Sequence, residues 1–324
     1  MSDNRGVHDQ PRILLTQPLA GPAGEWLSER ASVSIVSADD PAFPQALAAS
    51  DGLVVRTDCR IDDDLLACAR NLRVIGRAGV GLDHIDLGAC AQRNICVVHT
   101  PDANTQAVAE YVIALLLDAL RPRTAITGAM TRDAWRTVRD THTAEREIGS
   151  LTTGLLGMGR IGRRVAALLS AFGASVRYHD LLDIPPELRG GASYVDQRTL
   201  FAASDVISLH IDGRPENRGI VGADLLGRMR ADALLINTSR GRVIDHAALA
   251  EALHASPRRR AILDVHDPEP IPETHPLLNH PRVRLLPHLA SRTRSGNEAM
   301  EWVVRDVIAV LEGSAPRFPA PATE

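Results

Sequence analysis

Residues Gly157-Met158-Gly159-Arg160-Ile161-Gly162 spell GxGxxG, and their setting constrains the fold more than any other stretch of the chain. An apolar run from Leu151 to Leu156 leads straight into the glycines, and an amphipathic helical pattern from Ile161 to Phe172 leaves them. Gly173 closes that pattern, and the next strand candidate ends at Asp180, 23 residues beyond Gly157. Strand, glycine turn, helix, strand and acid in that order specify a dinucleotide-binding βαβ unit. The first glycine permits the tight turn, the second lets the backbone approach a pyrophosphate, and the third lets helix and strand pack closely. The helix start at Arg160 and Ile161 then offers free N–H groups and a positive dipole end to the phosphates. Asp180 is expected to accept hydrogen bonds from the adenosine ribose hydroxyls and to repel a 2′-phosphate, which selects NAD over NADP, although Arg177 and His179 flank the acid.

The same alternation runs the length of the chain. Strand candidates at Arg12 to Thr16, Val33 to Val36, Gly52 to Arg56, Val74 to Gly76 and Cys96 to His99 precede the glycine loop. Others follow at Asp205 to His210, Ala233 to Thr238, Ala261 to Val265 and Arg284 to Pro287. Short apolar runs separated by amphipathic ones are the mark of parallel βα units, so the fold class is α/β. At 324 residues the chain exceeds the roughly 250–300 at which single cores stop growing, and two domains are expected. The most apolar helix, Asn104 to Arg121, stands between Pro101 and Pro122 and must be covered by its own core or by a second subunit. A last helix is expected over Gly296 to Gly313, followed by a frayed proline-rich tail.

Composition removes several chemistries. All 36 basic residues are arginine, and a chain without lysine cannot use the amine of a Schiff-base aldolase, a pyridoxal-phosphate enzyme, a Walker-A NTPase or a protein kinase. Any side-chain cation that grips an anion must be the planar arginine fork. The formal charge of -4 gives no polyelectrolyte signature, so nucleic acid is not an expected partner. The polar start, Met1 to Pro11, and the shortness of the apolar run Val112 to Leu117 point away from a membrane and towards the cytoplasm. Cys59, Cys68, Cys90 and Cys96 lack CxxC spacing and read as reduced structural thiols. His266, His275 and His280 crowd one region, but without cysteine or carboxylate at ligand spacing no metal is expected.

Three segments lie near the ends of later strands, where open α/β sheets bind ligands. They are Asn237-Thr238-Ser239-Arg240-Gly241, Leu263-Asp264-Val265-His266-Asp267-Pro268-Glu269-Pro270 and Pro287-His288-Leu289-Ala290-Ser291. An arginine, a carboxylate and a histidine beside a nicotinamide suit hydride transfer at an alcohol carbon that bears a carboxylate. Together with Val54-Val55-Arg56-Thr57, Gly76-Arg77-Ala78-Gly79-Val80-Gly81-Leu82-Asp83 and Ala109-Glu110, these motifs make residues 50 to 310 resemble the D-isomer-specific 2-hydroxyacid dehydrogenases, nearest the short phosphoglycerate dehydrogenase type.

The resemblance implies a role for each. His288 would be the general acid/base, Glu269 would pair with it, fix the ring and raise its pKa, and Arg240 would hold the substrate carboxylate and polarise the carbonyl. Ile211, Thr238, Ser239, Arg240, Asp264, His288 and Ala290 would line the cofactor, with Asp264 near the nicotinamide carboxamide. The backbone of Gly79, Val80 and Gly81 would receive the substrate carboxylate. Arg56 and Arg77 each follow an N-terminal strand and match arginines that contact a phosphate in the family, so a substrate with a second anionic group, such as 3-phosphoglycerate, is expected. Glyoxylate, hydroxypyruvate and phosphonate analogues are the alternatives, and an NAD-sensing corepressor is the rival of another class.

The implied architecture is two doubly wound parallel-sheet domains, with a Rossmann NAD-binding domain over 102–290 inserted in a flavodoxin-like substrate domain of 1–101 and 291–324. Pro101 and the segment around Ala290 would be hinges, and the Asn104 to Arg121 helix would support a homodimer. The stretch after Ser291 is too short for an added regulatory domain, so serine feedback is not expected. The chain departs from the family's pattern at Ile211-Asp212-Gly213-Arg214, where a Pro-Leu-Thr-like run is usual, at His266, usually phenylalanine, and at His99 and Asp102, usually Asn and Gly.

Overall fold

The computed structural model describes residues 10–121 and 123–321; Pro122, expected to stop the long helix, lies outside them. The described residues gather into two compact units, one built from those up to Asn104 and those from Arg292 onward, the other from Thr105–Ser291.

The first unit begins with β1 (Arg12–Leu15), α1 (Pro22–Ser28), β2 (Ser32–Ile35), α2 (Phe43–Ala48), β3 (Gly52–Val55), α3 (Asp63–Cys68), β4 (Val74–Arg77), α4 (Leu87–Gln92) and β5 (Cys96–His99). Among the described residues its sheet has five parallel strands in the order β2-β1-β3-β4-β5, the flavodoxin-like winding. Every residue of β3 and β4 is buried, as expected of parallel strands covered on two faces. Asp62 and Asp86 start α3 and α4 by accepting hydrogen bonds from the N–H groups of Leu65 (3.1 Å) and Ala89 (2.8 Å). The four cysteines carry free thiols. Burial pushes Cys59 up to about 12 and Cys90 up to about 11, which keeps both protonated and inert.

The second unit contains α5 (Thr105–Leu120), α6 (Arg132–Thr141), β6 (Thr152–Leu156), α7 (Arg160–Ala171), β7 (Ser175–His179), β8 (Ser193–Tyr194), α8 (Gln197–Ala203), β9 (Val206–Leu209), α9 (Ala223–Arg228), β10 (Leu234–Asn237), α10 (His246–Ala255), β11 (Arg260–Leu263) and β12 (Val283–Leu285). Its described strands form a seven-stranded parallel sheet in the order β12-β11-β10-β9-β6-β7-β8. The order reverses between β6 and β9, which is the switch point of a Rossmann sheet and the place where the glycine loop emerges. Helix α5 is covered within its own unit: Val108, Ala109, Val112, Ile113, Leu115 and Leu116 are buried in it, and the helix packs on α7.

Past Ser291 the chain returns to the first unit. The expected single helix from Gly296 to Gly313 is instead α11 (Arg294–Glu301) and α12 (Val304–Leu311). At Trp302 ψ falls to 1°, and the bonds tighten to Val303 N–H donating to Met300 (3.2 Å) and Arg305 N–H to Trp302 (3.1 Å). That turn seats the Trp302 ring edge-on against Trp26 at 6.2 Å, with the Arg305 guanidinium 3.8 Å from its centroid. Helix α12 then closes over β3 and β4, where a Cβ on Gly76 would lie 2.5 Å from Val307 Cγ2.

The proline-rich segment is docked rather than frayed over 317–320. Asp306 accepts from the N–H groups of Arg317 (2.9 Å) and Phe318 (3.2 Å), while Ala320 N–H donates to Val97 and His99 N–H to Phe318. The open edge of β5 explains the docking, because its unpaired backbone groups find partners there. No described helix is long and apolar enough to cross a membrane.

Candidate active site

In the second unit the glycine loop is shaped by contact, not by flexibility. Gly157 sits at φ 99°, where a side chain is strained, and a Cβ there would also lie 2.6 Å from the His210 carbonyl oxygen. A Cβ on Gly162 would collide with the Gly157 carbonyl oxygen, so this glycine lets α7 approach the turn. A Cβ on Gly159 would meet no protein atom within 4 Å, and α7 begins there with no side chain capping its first N–H groups. An exposed, uncapped helix start behind a glycine suits a pyrophosphate. Arg160 and Ile161 form its first turn, Ile161 packing on the core.

Asp180 stands immediately beyond β7, and its carboxylate accepts from Met158 N–H (2.5 Å) and Leu182 N–H (2.9 Å). It is thereby tied to the glycine loop, with further acceptor capacity for a ribose diol. The unusual segment after β9 is closed by its own ion pair. Arg214 grips Asp212 with two of its nitrogens, and Asn217 Nδ2 donates to both the carbonyl (3.1 Å) and Oδ1 (2.9 Å) of Asp212. Hydrogen bonding to Arg214 holds the Asp212 carboxyl below its usual range, against the opposing effect of burial. Ile211 packs its side chain on the core, beside Gly157.

Adjacent strands β10, β11 and β12 deliver the remaining candidates from their carboxyl ends. Asn237, fully buried, shapes the loop after β10: its Oδ1 accepts from Ser239 N–H (3.0 Å) and Ser239 Oγ (2.8 Å), and its Nδ2 donates to the Arg240 carbonyl (2.8 Å). Arg240 Nη1 donates to the Ser239 carbonyl at 2.7 Å. Thr238 Oγ1 is buried without a protein partner, an orphan that a bound cofactor could satisfy. A Cβ on Gly241 would strike the His266 backbone, so only glycine lets this loop lie against the segment after β11.

Asp264 also has a structural role that its spacing in the sequence does not signal. Expected beside the nicotinamide, it is fully buried, and its two carboxylate oxygens accept from Leu289 N–H (2.9 Å) and Ala290 N–H (2.8 Å). Its main-chain carbonyl accepts from His288 N–H at 2.8 Å. Burial raises the Asp264 carboxyl, and these backbone bonds pull against that rise. A lone acid at the end of a buried strand was the available signal. The residue positions the histidine segment.

His288 adopts φ 55°, rare for a residue with a side chain, and its Nδ1 donates to Glu269 Oε2 at 2.9 Å. A carboxylate only accepts, so Nδ1 carries the proton and Nε2 is left to exchange one. Glu269 Oε1 accepts from His266 N–H at 2.8 Å. Burial works to raise the Glu269 carboxyl, but the hydrogen bonds from His288 and from the His266 backbone outweigh it and hold the group below its usual range. Behind it, His266 Nε2 donates to the Leu286 carbonyl at 2.7 Å, and His275 and His246 share a proton between ring nitrogens 3.0 Å apart. Among the described residues no group of three or more His, Cys, Asp or Glu side chains is placed to hold a metal.

Of the expected substrate ligands, Arg240 and His288 fall in the second unit and Arg56, Arg77, Gly79, Val80 and Gly81 in the first. Arg56 follows β3, Arg77 ends β4, and Gly79, Val80 and Gly81 form the loop beyond it. Arg77 is buried and folds back on this loop, donating to the Gly81 carbonyl (3.1 Å) and to that of Ala78. Gly79, at φ 153°, has no room for a Cβ beside that guanidinium. Val80 presents its carbonyl to His99 Nδ1 at 3.0 Å. Arg56 Nη2 donates to Glu301 Oε1 at 2.6 Å.

A family model described as D-isomer specific 2-hydroxyacid dehydrogenase, NAD binding domain, matches residues 113–290. The chain is 34% identical over 265 residues to a D-3-phosphoglycerate dehydrogenase of Archaeoglobus fulgidus, an alignment covering 81% of this chain but only 50% of that protein. It is 33% identical over 317 residues to a glyoxylate reductase of Thermofilum pendens, covering 95% of this chain and 93% of the relative. Among solved structures, a glyoxylate reductase from Paecilomyes thermophila matches with a TM-score of 0.82 at 29% identity, over 96% of this chain and 98% of the other.

Proposed function

The chain belongs to the D-isomer-specific 2-hydroxyacid dehydrogenase family, and from that membership we propose that it interconverts a small D-2-hydroxy acid and its 2-keto acid. The observation that carries the proposal is the His288–Glu269 pair, 2.9 Å apart and held on Asp264, in the unit that also bears the glycine loop. NAD, when bound, supplies the hydride donor or acceptor. His288 Nε2 gives a proton to the carbonyl oxygen during reduction and takes it back from the hydroxyl during oxidation. Glu269 keeps Nδ1 protonated, so that the ring turns Nε2 to the substrate in either direction. Arg240 holds the substrate carboxylate and polarises the carbonyl, a contribution whose removal typically costs ~10²–10³ in rate.

The test is NADH oxidation, followed spectrophotometrically, with hydroxypyruvate, 3-phosphohydroxypyruvate, 2-oxoglutarate and phosphonopyruvate. Turnover of at least one is expected, and inertness towards all four would remove the proposal.

Cofactor choice is assigned to Asp180. Replacing it with alanine removes both the ribose acceptor and the negative charge, and the preference of kcat/KM for NADH over NADPH is expected to fall about 10–100-fold, the worth of one charged hydrogen bond. An unchanged preference would take the cofactor choice away from this residue.

A further inference from the structure

We propose that Glu301 sets the substrate range by occupying Arg56, so that the enzyme takes 2-keto acids lacking a second anionic group. The inference rests on the 2-hydroxyacid reading above and narrows it. Sheet register places Arg56 beside the loop that would receive the substrate carboxylate. Val55 is the partner of Arg77 across β3 and β4, so Arg56 lies level with Ala78, one strand over from Gly79. Neighbouring strands stand about 4.8 Å apart, the reach of a substituent on the third carbon of a keto acid anchored at that loop. A free arginine there would draw a phosphate, because its fork is matched to that geometry.

This arginine is not free. Glu301, the last residue of α11, is 2% exposed, and its carboxylate takes Arg56 Nη2 at 2.6 Å on one oxygen and Ala20 N–H at 2.9 Å on the other. A second acid, Asp58, accepts from the Arg56 main-chain N–H at 3.2 Å and faces Thr16 Oγ1 at 3.4 Å. An incoming phosphate would meet one neutralised cation flanked by two carboxylates. Drawing Arg56 away would leave Glu301 buried with an unpaired charge, which proteins tolerate poorly. Arg77 offers no substitute, since its guanidinium is folded onto the Gly81 and Ala78 carbonyls. A keto acid with a neutral hydroxymethyl or hydrogen at that end meets neither obstacle.

The experiment compares kcat/KM for hydroxypyruvate and 3-phosphohydroxypyruvate. In the wild type the phosphorylated acid is expected to be at least ~30-fold poorer, chiefly through KM. Glu301→Gln keeps an acceptor for Ala20 and removes the charge, and should move the ratio towards the phosphorylated acid by ~10-fold or more. Glu301→Asp should not, and adding Arg56→Ala to Glu301→Gln should abolish the gain. These contrasts separate specificity from simple destabilisation, which would lower turnover of both acids alike. A measurement needing no variant supports them: D-glycerate should inhibit the wild type at least ~10-fold more tightly than 3-phosphoglycerate. Equal use of both keto acids by the wild type overturns the proposal, as does a folded Glu301→Gln enzyme with an unmoved ratio. Either result leaves the 2-hydroxyacid reading intact, whereas inertness towards every keto acid defeats that reading first.

Discussion

Replacing His288 with alanine is expected to lower kcat by ~10²–10⁴ while NADH still binds, the loss associated with removing a positioned proton donor. The variant should fold, because the imidazole does not hold its own segment in place. Asp264 does so through main-chain bonds to His288, Leu289 and Ala290, and all three survive truncation of the ring. The left-handed backbone at position 288 costs alanine only about 1–2 kcal/mol. Glu269→Gln provides the contrast: it keeps a group of the same shape beside Nδ1 but removes the charge, and a loss of about 10–100-fold is expected from one charge-assisted hydrogen bond. Single-turnover NADH oxidation, paired with a fluorescence titration of NADH binding, separates chemistry from cofactor affinity. Wild-type turnover in His288→Ala would dismiss the acid/base assignment.

Acidification from neutrality to about pH 4.5 is expected to destabilise the second unit by roughly 2 kcal/mol through two histidines alone, after halving for solvent screening. Burial lowers His246 to about 4, assisted by the neighbouring His275 and His266, while burial alone lowers His210 to about 4. A folded-state value below the unfolded 6.5 means that the unfolded chain takes up protons first. Stability is therefore complete above about pH 7 and is lost as pH falls from the unfolded value towards the folded one. Asp267 and Asp245 oppose the shift at His246 but do not cancel it. Urea midpoints and hydrogen exchange of the β9 to β11 amides, measured at both pH values, should show the loss. His210→Asn combined with His246→Asn should flatten it. A wild-type stability that does not change over this interval would refute the linkage.

What could be read from the sequence was set by local sterics. The glycine loop is legible because its glycines stand directly between an apolar strand pattern and an amphipathic helical one, and Gly162 answers a contact with Gly157 only five residues away. The alternation of parallel strands is legible because buried strands such as Gly52–Val55 are apolar throughout. The order of Arg240, Glu269 and His288 was visible, since each follows a strand. What the sequence hid depends on residues far apart in the chain. Glu301 neutralises Arg56 across 245 positions, and no spacing rule connects them. The break at Trp302 follows from a ring packed on Trp26. The docking of 317–320 depends on Asp306 and on an open sheet edge that exists only after folding. Asp264 shows its acid type in the sequence, but not the Leu289 and Ala290 amides that its carboxylate holds. The two-residue strand β8 offers too short a pattern for any periodicity.

Unit two is one uninterrupted stretch, whereas the core of unit one combines Ile13, Val54 and Val74 with Val303, Val304 and Val307. On a ribosome these halves emerge at different times. The glycine face of β3 and β4 waits, uncovered, for α12, while the entire inserted unit has been synthesised and is able to fold. The nascent chain therefore carries a complete inserted unit while the apolar sheet of the first unit still lacks its lid.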